Sequence, residues 1–197
     1  MNKIAGLYKE LESDENIIFE GKTTCPTVFI KEAEIKKLIG RERKEVPISI
    51  AVSKVYLTNK RLLFLILFQL ETKVLTDKGA PRFSGITGSW FEMPISAIQE
   101  VDIRPTFIKE DKEMMRLIEW GIVPSLSDRS PALEMIYDER MAVGRLKDYM
   151  ESMLKMGFFT KLFKKIEKVF DKIIIIGEEI TTITPRLKNM ISKRQQQ

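Results

Sequence analysis

The sequence predicts a mainly β protein of the α+β class, built from antiparallel strands. Residues 48–57 and 61–68 are rich in Ile, Val and Leu and flank a short polar turn, which is the pattern of a β-hairpin. Residues 98–103 alternate apolar and polar side chains, as a half-buried strand does. Residues 132–137 form a further apolar run that favours a strand. These segments together indicate an antiparallel sheet.

The remaining elements follow in chain order. Residues 16–24 predict a strand that ends near Gly21, and residues 90–93 predict a short strand before Pro94. The charged segment 31–45 has a weak helical pattern that Gly40 would end. Asp138 is a suitable N-cap for a helix that runs to about residue 156. That helix would close the open end of the sheet.

Composition excludes several classes of catalyst. The 197 residues include no histidine and one cysteine, Cys25. Without histidine there is no Ser-His-Asp or Cys-His apparatus and no imidazole ligand for zinc. A single thiol permits no intramolecular disulfide, and the expected state of Cys25 is an inert thiol.

The positive charge is concentrated at the C-terminal end of the chain. The chain has 33 basic and 28 acidic residues, of which ten basic and five acidic residues fall within 151–197. The whole net charge of +5 therefore lies in this tail, and residues 1–150 are neutral. Such asymmetry indicates either an anionic partner for the tail or lysines on a solvated helix face.

Four short motifs occur in a characteristic order. They read DENIIFEG at 14–21, VYLTNKRLLF at 55–64, FEMPISAIQEV at 91–101 and LEMI at 133–136. Their order resembles that of GRAM-type and bacterial pleckstrin-homology-like (PH-like) domains. In the hairpin motif, Thr58 and Asn59 suit a tight turn, and Arg61 is expected to tie that turn to a neighbouring loop. These motif residues are expected to be structural.

The resemblance implies a PH-like antiparallel β-barrel or sandwich capped by a C-terminal helix. It covers about residues 13–156, so the expected domain is 1–156 with a helical insert at about 105–130. Residues 157–197 lie outside the family pattern and are predicted to be a helical extension. Members of such families mostly bind lipid headgroups, peptides or proteins, so the resemblance implies no enzyme, no catalytic or metal-binding residue and no cofactor.

The resemblance also implies lipid-headgroup candidates, because basic residues after the first strand contact phosphates in lipid-binding PH domains. Clustered Lys and forked Arg side chains suit phosphate recognition. Four glutamates interleave with these residues between 31 and 45, so a solvated charged loop is the alternative. The candidates are Lys36, Lys37, Arg41, Arg43 and Lys44.

Residues 158–174 predict a basic amphipathic helix when placed at 100° per residue. The apolar arc comprises Phe158, Phe159, Leu162, Phe163, Ile166, Val169, Phe170, Ile173 and Ile174. The opposite side comprises Lys161, Lys164, Lys165, Lys168 and Lys172. The apolar face could pack on the domain, pair with another subunit or lie in a membrane interface.

The leading functional hypothesis is a non-enzymatic PH/GRAM-like module that binds a membrane surface or a protein partner. The alternatives are an oligomerisation protein whose C-terminal helix packs on another subunit, and nucleic-acid binding through the basic tail. No apolar run approaches the length of a membrane span. The expected location is the cytoplasm, with peripheral binding at the inner membrane face under the membrane hypothesis.

Overall fold

The computed structural model describes residues 10–36, 41–71, 83–84, 89–105, 130–144 and 166–196. These residues form nine strands, two 3-10 turns and one helix, α1 (Ile180–Gln195). The mainly β prediction is therefore confirmed. The strands are β1 (Ile17–Glu20), β2 (Cys25–Lys36), β3 (Arg41–Thr58), β4 (Arg61–Glu71), β5 (Phe83–Ser84), β6 (Ser89–Pro94), β7 (Ile98–Pro105), β8 (Pro131–Tyr137) and β9 (Ile166–Ile176).

All nine strands join one antiparallel sheet. The order along the sheet is β5-β4-β3-β2-β9-β8-β7, while β1 pairs with β3 and β6 pairs with β4. β2 near the start of the chain is thus the neighbour of β9 near its end. The sheet consists of two successive antiparallel meanders, β2-β3-β4-β6 and β7-β8-β9, joined through the β2-β9 pair.

The main core lies on one face of this sheet, and every meander strand contributes to it. At its centre, Phe29, Phe64, Phe91 and Tyr137 form a group of edge-to-face or tilted rings with centroids 5.3–6.3 Å apart. Such arrangements are favourable because the positive edge of one ring meets the negative face of the next. α1 packs on β7, β8 and the 3-10 turn Ile95–Ala97. It adds buried apolar residues Ile180, Ile183 and Leu187 to the core.

The opposite face of the central strands is buried as well. All five residues from Leu62 to Ile66 in β4 are buried, with at most 7% exposed, although successive side chains point to opposite faces. Ile50, Val52 and Tyr56 of β3 are buried on that second face too. A strand covered on both faces carries a continuous apolar run, which explains the uninterrupted apolar sequence of β4.

The predicted hairpin is confirmed by β3 and β4, which pair directly on either side of Asn59 and Lys60. β6, β7 and β8 confirm the strands predicted at 90–93, 98–103 and 132–137, and β1 confirms the strand predicted within 16–24. The helical pattern over 31–45 is wrong for the described part, because β2 extends to Lys36 and β3 starts at Arg41. Residues 106–129, which include most of the predicted helical insert, lie outside the described residues.

The amphipathic helix predicted over 158–174 is wrong from residue 166 onward, where the chain forms β9. Six of the seven apolar residues in β9 are Ile or Val, which lose rotamer freedom in helices and pack well in sheets. β9 also pairs with β2 on one side and β8 on the other, and these backbone hydrogen bonds override the helical periodicity. Residues 158–165 lie outside the described residues.

The predicted division into a domain of 1–156 and an extension of 157–197 stays a prediction, and the described tail residues contribute to the same sheet and core as the earlier strands. β9 lies within the sheet, and Ile173, Ile175, Ile180, Ile183 and Leu187 belong to the same core as the earlier strands. The residues after 165 therefore complete the fold, because without them β2 and β8 would not be joined.

The helix predicted to start at Asp138 is absent over residues 138–144. The chain instead makes a 3-10 turn, Glu139–Met141, and then Val143 exchanges two backbone hydrogen bonds with Glu92 at 2.8 and 3.0 Å. Gly144 follows with a φ of 134°, where a Cβ would come within 2.4 Å of the Trp90 carbonyl oxygen. Residues 145–156 lie outside the described residues, and the described helix that packs against the sheet is α1.

Candidate functional site

The hairpin formed by β2 and β3 carries the predicted lipid-headgroup candidates. In its register, Lys36 lies directly opposite Arg41, Glu34 lies opposite Arg43, and Ala33 lies opposite Lys44. Because alternate positions share a face, Lys36, Arg41 and Arg43 share one face of the hairpin. Lys44 occupies the other face, and Lys37 lies outside the described residues.

One residue from the predicted tail helix joins this face through β9. Glu34 of β2 has Arg43 of β3 on one side and Lys168 of β9 on the other. The structure thus brings four basic positions to one face of three neighbouring strands, with Glu34 between two of them. In the sequence these basic positions lie in two separate segments. The β2-β9 pairing makes residues 34 and 168 neighbours, so a local sequence pattern could not show that they lie together.

Two other residues of the predicted tail site fall in β9. Ile166 pairs with Ile35, and Phe170 pairs with Glu32, so both lie within the sheet. Phe158, Phe159, Lys161, Leu162, Phe163, Lys164 and Lys165 lie outside the described residues.

The hairpin turn at Thr58 and Asn59 is held by hydrogen bonds of the kind expected. The Thr58 hydroxyl accepts the backbone N–H groups of Lys60 and Arg61 at 3.1 and 3.0 Å and donates to Glu15 at 2.7 Å. The Asn59 side chain accepts the N–H of Asn16 at 2.8 Å. The turn is therefore tied to the segment before β1.

Arg61 forms a buried ion-pair cluster with two carboxylates. Its Nε and Nη2 donate to the two Glu15 oxygens at 2.8 and 2.7 Å, and its Nη1 donates to Glu92 at 2.8 Å. The side chains of Glu15 and Glu92 are only 0% and 7% exposed. Burial alone would raise the pKa of Glu15, but hydrogen bonds from Arg61, the Glu12 backbone and Thr58 hold it below its ordinary value. The prediction that Arg61 ties the turn to a neighbouring segment is confirmed, and its role is structural.

A second buried ion pair lies on the outer face of β8 and β9. The Lys172 ammonium is 3.1 Å from a Glu134 carboxylate oxygen, and both side chains are buried. The same oxygen is 2.8 Å from the exposed Arg104 guanidinium. This arrangement satisfies the Glu134 charge within the sheet, so we interpret it as structural.

Cys25 has the environment of an inert thiol, as expected. It is 3% exposed, and burial followed by the negative charge of Glu179 raises its pKa to about 12. A thiol with this pKa is almost entirely protonated at neutral pH and is a poor nucleophile.

A groove that sequence reasoning did not identify lies at the end of β3 opposite the β2-β3 hairpin. It has a volume of about 380 Å³. It is lined by β1, the β3-β4 turn, the 3-10 turn after β6 and the last turns of α1, through Ile18, Asn59, Lys60, Ile95, Met190, Lys193 and Arg194. These residues come from four distant parts of the chain, so no local motif indicates the groove.

The described residues also bear on metal sites and membrane spans. Within these ranges, no group of three or more Cys, Asp or Glu side chains is arranged to hold a metal ion. In the same ranges no helix has the length and hydropathy of a membrane span. The two candidates for function are therefore the basic hairpin face and the groove beside α1.

The chain was compared with known proteins at the level of families, individual proteins and structures. No family model, no curated protein and no solved structure matches it. A functional class must therefore be inferred from the fold and from these two surfaces.

Proposed function

We propose that the protein is a non-enzymatic PH-like binding module that binds the phosphate groups of an anionic membrane surface. The binding surface is the face of the β2-β3 hairpin that carries Lys36, Arg41 and Arg43. In this proposal the protein is cytoplasmic and binds peripherally at the inner membrane face.

The PH-like part of the proposal is supported by the sheet topology. Two antiparallel meanders are followed by a helix that packs on β7 and β8, and β2 is paired with β9. The PH/GRAM resemblance implies an antiparallel barrel or sandwich with a terminal helix, and this strand order is compatible with that architecture.

The observation that carries the binding proposal is the pairing of Lys36 with Arg41. Like charges directly opposite each other on two strands destabilise the hairpin. Arg43 shares their face, and only Glu34 directly opposes it on β2. A phosphate group would offset like charges at this register position, because it accepts hydrogen bonds from a guanidinium and an ammonium together.

The mechanism is electrostatic capture of phosphates at the end of a two-stranded arm. Each Lys or Arg near an anionic leaflet contributes about 1 kcal/mol, so three residues contribute roughly 3 kcal/mol. The attraction is screened over a Debye length of about 8 Å at physiological salt, so binding must weaken as salt is added. The oligomerisation alternative is less well supported, because it required a helical face at 158–174 and both edges of β9 are paired.

Co-sedimentation with phosphatidylserine-containing vesicles tests the proposal. We expect binding at low salt that falls roughly hundredfold in the Lys36→Glu/Arg41→Glu/Arg43→Glu variant. The matched control is Lys22→Glu/Arg140→Glu/Lys188→Glu, which changes the overall charge equally at exposed positions away from the hairpin.

Three results would overturn the proposal. They are absence of vesicle binding at low salt, equal loss of binding in both triple variants, and binding that does not respond to salt. Equal loss in both variants would mean that the net charge of the protein, rather than the hairpin face, attracts the membrane.

A further inference from the structure

The groove beside α1 combines an apolar floor with a basic wall. Ile95 in the 3-10 turn is buried, Met190 of α1 is half-buried, and Ile18 of β1 is 36% exposed. An occupant that covers these side chains would remove apolar surface from water, at about 25 cal/mol per Å².

The wall formed by α1 is positively charged. α1 contains four basic residues and no acidic residue, and Lys193 and Arg194 lie in its last turn. Neither makes an ion pair within the described part of the chain, whereas Lys60 across the groove is bonded to Glu12 and Asp14. These two cations favour carboxylates in an occupant, and they also interact favourably with the negative end of the helix dipole.

Hydrogen bonds hold the two sides of the groove in place. The Arg186 guanidinium donates to the Ile18 carbonyl, which ties α1 to β1. At the start of α1, Glu179 accepts the backbone N–H groups of Lys22 and Thr23 at 2.7 and 2.9 Å. A groove that is already formed costs less ordering free energy when a ligand binds.

The position of the groove favours a protein occupant over a bilayer. β3 starts at Arg41 beside the basic hairpin face and ends at Thr58, immediately before Asn59 in the groove. A strand rises about 3.3 Å per residue, so the two surfaces are at opposite ends of a long strand. A membrane bound at the hairpin would leave the groove at the far end of that strand.

We propose that the groove binds an acidic peptide segment of a partner protein that carries one large apolar side chain. The apolar side chain fills the floor formed by Ile18, Ile95 and Met190, and carboxylates beside it pair with Lys193 and Arg194. The choice of a peptide over a bilayer rests on the proposed membrane function of the hairpin. The existence of the groove and its positive charge are independent of that proposed function.

The test uses the full chain with ¹³C-labelled methionine methyl groups, and Met190→Leu assigns the Met190 signal. The probes are pooled synthetic peptides that each carry one Leu, Ile or Phe flanked by Asp and Glu, and matched pools carry Asn and Gln in place of the acids. We expect the acidic pools to shift the Met190 signal and to bind at least about tenfold more tightly than the amide pools.

Charge-reversal variants locate the contact. We expect Lys193→Glu/Arg194→Glu to reduce the affinity for the acidic pools at least about tenfold. The Lys22→Glu/Lys188→Glu variant has the same net charge as Lys193→Glu/Arg194→Glu but leaves the groove lining intact. It should retain binding of the acidic pools. Because vesicle binding through the hairpin does not depend on Lys193 or Arg194 in this scheme, the two proposals can fail separately.

Several outcomes would overturn the inference. The Met190 signal could remain unmoved by the acidic pools at millimolar concentration, or both double variants could bind equally. A third contrary result is a Met190 shift caused by anionic vesicles and not by peptides, which would show that the groove faces a membrane.

Discussion

At the scale of single residues, the best-defined feature is the contact of Arg61 with two buried carboxylates. Glu15 and Glu92 are 46 and 31 positions away in sequence, yet both lie within 2.8 Å of the guanidinium. Arg61 is the only cation that bonds Glu15 in the described structure, and it satisfies both carboxylate oxygens. The Arg in the hairpin motif is thus explained by the stability of the fold rather than by ligand binding.

Replacing Arg61 with Met should destabilise the protein by about 3–5 kcal/mol, because Glu15 would remain buried without its counter-charge. The matched control is Arg104→Met, which removes an exposed partner of Glu134 while Lys172 remains. That change should cost about 1 kcal/mol or less. Urea unfolding of the three proteins measures both values, and equal destabilisation would contradict the structural role of Arg61.

Glu15 should make the protein acid-sensitive. Its pKa in the folded state lies below the ordinary value of 4.5, so the folded state favours its charged form. Its stabilising contribution is therefore complete above pH 4.5 and is lost as the pH falls through the lower folded pKa. Urea midpoints between neutral and acidic pH should fall more steeply for the wild type than for Glu15→Gln, and parallel curves would refute this.

At the scale of elements, β9 is a strand whose sequence has the apolar periodicity of a helix. Lys172, Ile173, Ile175 and Ile176 are buried and Ile174 is half-buried, although they alternate between two faces. A strand covered on both faces carries no period-2 alternation, so its apolar residues can also fit one arc of a helix. The pairing of β9 with β2 and β8 decides between the two structures.

Alanine substitutions at Ile173 and Ile174 distinguish the strand from the helix. In β9, Ile173 is fully buried in the core and Ile174 lies on the other face. We expect Ile173→Ala to cost about 2–5 kcal/mol and Ile174→Ala roughly 1 kcal/mol in urea unfolding. Similar costs would instead suit the predicted helix, in which both residues share one apolar arc.

At the scale of the whole molecule, the two ends of the chain depend on each other. β2 pairs with β9, and α1 places three buried residues in a core that also contains Cys25 and Phe29. Each buried aliphatic side chain contributes about 1.5–3 kcal/mol, while a domain is stable by only about 5–15 kcal/mol. The described strands and α1 should therefore unfold as one cooperative unit.

A fragment of residues 1–165 should fail to fold, since it lacks β9 and α1. It would lose five core residues and leave β2 and β8 without their shared neighbour. Circular dichroism and thermal unfolding should show one cooperative transition for the full chain and none for the fragment. A fragment that melts cooperatively at the temperature of the full chain would instead support the predicted division at residue 156.

The sequence by itself determined the β class, the β3-β4 hairpin and the bonding of Thr58 and Asn59. These features follow from local causes, namely runs of apolar residues and side chains that bond the adjacent backbone. It also correctly identified Cys25 as an inert thiol and Arg61 as a tie between segments. Its PH/GRAM resemblance and the function drawn from that resemblance stay predictions.

Only the tertiary structure decided what depends on residues far apart in the chain. The choice of strand over helix at 166–176 required β2 and β8 as hydrogen-bonding neighbours. The same long-range pairing moved Lys168 next to Glu34, and chain packing created the groove between Ile18 and Arg194. A local pattern cannot encode such neighbours, because backbone pairing and core burial are properties of the assembled sheet.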